Sequence, residues 1–191
     1  MTKEQARKEF TRKRTALTDG GYFQLNQQLY NHFFAHVDLS FIKILHIYLS
    51  VESKREADTW TLLDRVRREY PHIRLAVPKM IAGDHLEHFF FEGLHQLKVN
   101  KWGIAEPQQG IPVEVGRIDA VLVPLLALDA HGHRVGYGKG FYDRFLATCS
   151  SSCRKIGMSL FEPVDHLDDV DEWDVPLDQC ITPGGILTFQ G

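Results

Sequence analysis

The chain has 191 residues, 43% of them hydrophobic and 25% charged, with a formal net charge of −3. This balance belongs to an ordinary folded protein, excludes a disordered chain, and gives no global attraction to nucleic acid or to an anionic membrane surface. No apolar run approaches the roughly 20 residues of a membrane span, and the polar start Met1-Thr2-Lys3-Glu4-Gln5 lacks the apolar core of a signal peptide, so a cytoplasmic protein with no membrane or nucleic-acid partner is expected.

Thr2 with Gln5 fits a capping box for a helix running to about residue 17. Its cations Lys3, Arg7 and Arg14 fall on one side at steps of four and seven, close to Phe10. They either converge on an anionic ligand or form a solvated basic face. A second amphipathic helix is predicted after Thr18-Asp19-Gly20-Gly21, with Phe23, Leu25, Leu29, Phe33 and Phe34 as its core positions. Residues 43–50, Lys-Ile-Leu-His-Ile-Tyr-Leu-Ser, read as a central strand. Open α/β sheets bind ligands just beyond the C-terminal ends of such strands, which draws notice to Val51, Glu56, Asp58 and Thr59. Asp58 or Thr59 suits the cap of a helix over 60–70; Glu56 has no comparable local task. Further strands are predicted at 74–78 and at 86–91, the latter on an edge or in a hairpin. Trp102 is read either as a stacking surface for a flat ring or as a core residue.

Residues 120–127 form an apolar run bounded by Asp119 and Asp129, which suits a strand covered on both faces. After it come Arg134-Val135-Gly136-Tyr137-Gly138-Lys139-Gly140-Phe141-Tyr142-Asp143-Arg144-Phe145-Leu146. Glycines at alternate positions free the backbone to take positive φ and to offer N–H groups to a ligand. A helix starting near Gly140 or Phe141 aims its positive end at the same place, and Lys139 and Arg134 add full charges, so an anion site is expected. The spacing fits neither the dinucleotide fingerprint nor a P-loop. Asp143 in the first helical turn either complements the helix dipole or serves a ligand. Cys149, Cys153 and Cys180 are odd in number and without zinc-finger or redox spacing, so reduced thiols are expected. A strand follows at 155–160, and one or two more close the chain at 180–189. The stretch 165–178 holds seven carboxylates, among which the residues themselves single out none.

Pro124, the Asp129…Gly132 turn and the string from Arg134 to Leu146 resemble the signature of the 5-formyltetrahydrofolate cyclo-ligase, or methenyltetrahydrofolate synthetase, family. Supporting matches extend from Lys3-x-x-x-Arg7 through Glu56-x-Asp58-Thr59 and Gly103-Ile104-x-Glu106-Pro107 to the late box at 172–178. The departures are Ala105 for a proline, Glu162 for a glutamine and Trp173 for a polar residue. The resemblance implies ATP contacts from Lys3, Arg7, Arg134, Gly136, Tyr137, Gly138, Lys139, Gly140, Phe141 and Tyr142. It also implies folate contacts from Arg7, Val51, Glu56 and residues 137–141, and Mg²⁺ bound by Asp143 and Asp174. A carboxylate at Glu56 suits the pterin, because it accepts two N–H donors from an amide edge. The implied reaction is the ATP-dependent closure of 5-formyltetrahydrofolate to 5,10-methenyltetrahydrofolate with release of ADP and phosphate.

The expected fold is α/β: a single-domain three-layer sandwich over 1–191 with a mostly parallel central sheet flanked by helices, Rossmann-like and monomeric. Two rival functions use some of the same features. An enzyme acting on sugar phosphates or acyl-CoA would share the anion loop but not Glu56, and an RNA-binding module would use the basic first helix and bind with steep salt dependence.

Overall fold

A computed structural model describes residues 1–189. Helix α1 (Lys3–Thr15) opens on the expected capping box, Thr2 accepting from the Gln5 amide while the Gln5 side chain accepts from Thr2. Helix α2 (Asp19–His36) is capped by Thr18. Its Leu29 and Phe33 are fully buried, but Phe23 is 66% exposed and is not the core residue predicted. It lies about 100° round the helix from Tyr22, outside the buried stripe.

Strand β1 (Ile44–His46) is shorter than the predicted run 43–50, because the chain leaves the sheet after His46 while residues 47–50 stay buried. Helix α3 (Trp60–Glu69) is capped by Asp58, whose carboxylate accepts from the Trp60 amide at 2.9 Å; Thr59 instead gives its hydroxyl proton to the Tyr48 carbonyl. Strand β2 (Arg74–Ile81) outruns its prediction and forms a hairpin with β3 (His85–Phe90). A small pair follows, β4 (Leu97–Val99) with β5 (Ala105–Pro107). The single strand predicted at 120–127 is two: β6 (Ala120–Val123) ends at Pro124, which has no N–H for a ladder, and β7 (Ala127–Leu128) pairs instead with β8 (Arg134–Val135). Helix α4 (Phe141–Ala147), β9 (Arg154–Met158), β10 (Gln179–Thr182) and β11 (Gly185–Thr188) complete the order.

The main sheet runs β11-β10-β9-β6-β1-β2-β3, with β10, β9, β6, β1 and β2 parallel and both outer strands antiparallel. On one face α2 and α3 bury Leu29, Phe33, Leu62 and Leu63 against Leu45, Leu122 and Ile156. On the other, α4 sets Phe145 and Leu146 against Val121, Val123 and Cys180. Each such fully buried side chain contributes about 1.5–3 kcal/mol. The three layers of the expected α/β sandwich are therefore present. Gly157 in β9 is glycine for space, since a Cβ there would meet Leu177 at 2.6 Å and Leu125 at 2.7 Å. Helix α1 lies apart from both faces, with Ala6 and Phe10 on Leu126, Ala127 and Val135 at the C-terminal end of β6. All three cysteines are free thiols, and among the described residues no helix is long and apolar enough to cross a membrane.

Two histidines sit inside this frame. His46 on β1 and His88 on β3 are hydrogen-bonded to each other at 3.0 Å, and both are buried beside Phe145. Burial pushes the His46 pKa well down, helped by the neighbouring His88, and burial lowers His88 to about 4. Above the unfolded value near 6.5 neither state binds these protons and the pair is silent. As pH falls below that value the unfolded chain takes up protons that the folded one refuses, so stability declines, His88 ceasing to contribute to the decline near its folded value of about 4. Urea unfolding at pH 7 and pH 5 should show a loss approaching about 1.4 kcal/mol per pH unit for each histidine. His88→Gln should flatten that slope by about half, and an unchanged slope would show that His88 binds its proton equally in the folded and unfolded chain.

Candidate active site

A cavity of about 930 Å³ opens at the C-terminal ends of β1 and β6, where a parallel sheet presents its ligand site. Every residue singled out above for ATP, folate or magnesium, from Lys3 to Asp174, lines it.

The loop of 136–140 forms one rim. Gly138 (φ +85°) and Gly140 (φ +68°) take left-handed backbone, which a side chain would make costly by about 1–2 kcal/mol each. A Cβ on Gly138 would also crowd Arg7 at 3.3 Å. Arg7 Nε donates to the Gly136 carbonyl at 3.0 Å, and Arg144 donates to the carbonyls of Lys139 (2.6 Å) and Asp84 (2.8 Å). The loop is thus held from both sides while the Lys139 side chain stays exposed, with no ion-pair partner among the described residues.

At one end of the cavity basic and acidic groups alternate. Arg134, 8% exposed, donates to the Val175 carbonyl at 2.6 Å and to Asp143 Oδ1 at 2.8 Å, and the Val175 amide also donates to Asp143 Oδ1. Lys3 Nζ bonds to Asp174 Oδ2 and, at 3.3 Å, to Asp171. Burial works against the charge on Lys3, but the two carboxylates outweigh it and raise its pKa. Asp143 and Asp174 each have one oxygen that accepts no hydrogen bond among the described residues. Two half-engaged carboxylates give an oxygen-only donor set suited to a hard cation such as Mg²⁺. A second cluster, Asp129 with His131 and His166, has ligand atoms within 4.8 Å of one another. There the Asp129 carboxylate already accepts from the amides of His131, His133 and Leu167 and from the His133 ring, and it serves to pin the β7–β8 hairpin.

At the other end Glu56 follows a tight turn in which Arg55 is left-handed (φ +51°). Glu56 is 7% exposed. Its Oε2 accepts from the Val51 amide at 2.7 Å, its Oε1 accepts from the Tyr137 hydroxyl, and its carbonyl accepts from Tyr22. Burial, with the Glu56 charge adding to it, raises the pKa of both Tyr137 and Tyr142, so both phenols keep their protons as donors.

Some expectations do not hold. Trp102 lies 53% exposed in the β4–β5 turn, neither in the core nor lining the cavity. Glu162 accepts from the Gly184 amide at 2.9 Å, a structural bond between two loops. Sequence reasoning also missed the apolar wall formed by Met80 and Leu86 of the β2–β3 hairpin and by Ile104 before β5, and it missed a cavity role for Trp173, 76% exposed beside Asp174. The wall is a product of topology, and no local pattern marks it. Trp173 was visible as a departure from the late box, with no ligand contact attached to it.

The chain matches the model of the 5-formyltetrahydrofolate cyclo-ligase family over residues 1–183. It is 26% identical over 177 residues to the 5-formyltetrahydrofolate cyclo-ligase of Escherichia coli strain K12, a match covering 91% of this chain and 96% of that one. The solution structure of Aquifex aeolicus 5,10-methenyltetrahydrofolate synthetase is similar with a TM-score of 0.84 at 28% identity, over 100% of this chain and 94% of that one. The Mycoplasma pneumoniae 5,10-methenyltetrahydrofolate synthetase follows with a TM-score of 0.76 at 27% identity, over 96% and 99%. With the matched stretch spanning both ends of the cavity, the chain belongs to the 5-formyltetrahydrofolate cyclo-ligase family.

Proposed function

We propose that this protein catalyses the ATP- and Mg²⁺-dependent cyclisation of 5-formyltetrahydrofolate to 5,10-methenyltetrahydrofolate, giving ADP and phosphate. The observation that carries this reading is the shared cavity: Lys3, Arg7, Arg134, Lys139 and the loop of 136–140 line it together with Glu56, to which Tyr137 of that loop donates. A triphosphate and a pterin bound there would meet between them. Because residues 3 to 174 of a single chain line the cavity, we read the chain as one catalytic domain acting as a monomer.

The formyl oxygen is a poor leaving group, so the reaction begins with its attack on the γ-phosphorus and expulsion of ADP. N10 then adds to the activated carbon, closing the ring and giving up its proton to solvent, and the phosphorylated oxygen leaves as phosphate to form the methenyl double bond. Phosphoryl transfer asks a protein mostly for position and charge. Lys139, with its free ammonium, and Arg7 at the loop's edge neutralise phosphate oxygens, and Arg134 and Lys3 do so behind the acidic pair. The amides of 136–140 cradle the phosphates. Asp143 and Asp174 would hold Mg²⁺, which when bound supplies further neutralisation of phosphate charge. Glu56 receives the pterin amide edge with Val51 as its apolar neighbour, while Tyr137 and Phe141 border both ligands and Tyr142 borders ATP.

Mixing the protein with ATP, Mg²⁺ and 5-formyltetrahydrofolate should produce the methenyl chromophore; no absorbance change would end this reading. Lys139→Ala should lower turnover by about a hundredfold, the scale of losing one group aimed at developing charge. Its melting temperature should not move, because the side chain is exposed and has no partner among the described residues. Parental turnover in that variant would remove the loop from the mechanism. Asp143→Asn should raise the Mg²⁺ concentration needed for half-maximal rate by about tenfold, as one charged ligand is lost; a superimposable metal titration would reject the assignment.

A further inference from the structure

We propose that Arg14 is a positioning residue for the folate end of the cavity, holding the Glu56 carboxylate in its receiving orientation through the Tyr137 hydroxyl. This rests on the reading that Glu56 accepts the pterin amide edge. Arg14 belongs to the same side of α1 as Lys3 and Arg7, yet it is 6% exposed and does not line the cavity.

A guanidinium buried that far is costly unless its donors are satisfied. Arg14 has no carboxylate within ion-pair distance among the described residues. Its Nε donates to the Arg55 carbonyl and an Nη donates to the Tyr137 oxygen, each at 3.0 Å. The phenol passes the interaction on, because its own O–H donates to Glu56 Oε1. With one lone pair of the Tyr137 oxygen taken by Arg14, the O–H is directed at the carboxylate rather than free to rotate. The raised Tyr137 pKa, set by burial and by Glu56, keeps that proton in place.

The consequence falls on Glu56. Each carboxylate oxygen has two lone pairs. One on Oε2 is taken by the Val51 amide and one on Oε1 by Tyr137, which leaves one on each for a flat pair of N–H donors. A carboxylate free to turn about its Cγ–Cδ bond would lose that bidentate fit. Arg14 also bonds the carbonyl of Arg55, the left-handed residue that turns the chain into Glu56, so backbone and side chain are steadied from one point.

The test compares Arg14→Met, Arg14→Lys, Tyr137→Phe and the Arg14→Met/Tyr137→Phe pair with the parent. The measurements are kcat, KM for ATP, and both KM and Kd for 5-formyltetrahydrofolate, with a thermal melt for each variant. Arg14→Met should raise folate KM and Kd about tenfold, the factor for one charge-assisted hydrogen bond. Its kcat and its KM for ATP should stay within about twofold of the parent, a split that a general loosening of α1 would not give. Tyr137→Phe should also raise folate Kd about tenfold, and the double variant should fall well short of the product of the two effects. Arg14→Lys, which keeps the charge but not the planar fork, should lie between. Unchanged folate affinity in Tyr137→Phe, fully multiplicative effects, or a parallel rise in KM for ATP would each overturn the proposal. If Arg14→Met does not fold, Arg14→Lys still decides it by the same split, and Tyr137→Phe decides it by folate Kd. Glu56→Ala separates the two levels: if it leaves folate affinity untouched, the pterin reading itself falls. If it weakens binding while the Arg14 and Tyr137 variants do not, the Arg14 assignment alone falls.

Discussion

The cavity depends on α1 lying across the C-terminal end of the parallel sheet with its basic side against segments more than a hundred residues away. Lys3 reaches Asp174, Arg7 reaches Gly136 and Arg14 reaches Tyr137, separations of 171, 129 and 123 residues. The cations do not hold the helix there by themselves, since a largely buried pair such as Lys3–Asp174 gives back in desolvation much of what it gains by attraction. Ala6 and Phe10, buried on Leu126, Ala127 and Val135, supply the adhesion, and the basic residues set direction. Apolar contact fixes where α1 lies, and the spacing 3, 7, 14 then fixes which part of the cavity each cation serves.

The acidic end is built so that no charge stands alone. Arg134 is engaged by Asp143 and Lys3 by Asp174, in positions where an unpaired charge would be expensive. On the proposed function these pairs also make ligand entry an exchange. Phosphate oxygens offer new partners to Lys3 and Arg134 just as a cation offers one to Asp143 and Asp174. The unengaged oxygen on each aspartate lets the cation arrive before the older bond is fully given up.

Legibility in the sequence followed locality. The capping box at Thr2, the glycine loop before α4, the alternation of strands and helices and the isolated carboxylate at Glu56 are all marked by neighbours in the chain. Family resemblance then named most of the residues that the fold brings to one cavity. Strand ends were less readable, because pairing is a property of two segments: β1 stops at His46 although residues 47–50 remain buried, and Pro124 splits a run whose composition is continuous. Asp58 and Thr59 were equivalent as caps until the Tyr48 carbonyl claimed the threonine hydroxyl. Phe23 and Trp102 were misjudged because hydrophobicity does not say which side of an element faces inward. Met80 and Leu86 of the wall had no signal, and Ile104 stood in the 103–107 match without a wall role, since β2, β3 and β5 meet only in three dimensions.

The loop itself shows why glycine and arginine occur together in this string. Arg7 grips the Gly136 carbonyl from one flank and Arg144 grips that of Lys139 from the other. At Gly138 a Cβ would press on Arg7, and at Gly140 it would stand 2.9 Å from Arg144. The guanidinium groups approach the backbone closely enough to bond it because no side chains stand in the way, and the left-handed turns at both glycines follow from the same freedom. Lys139 lies between them as the one residue in this sandwich with a long side chain, and that side chain is exposed toward the cavity. A clamped backbone carrying an exposed ammonium combines a fixed cradle with an adjustable charge, which on the proposed function would suit a phosphoryl group whose charge shifts from γ-phosphate to leaving phosphate.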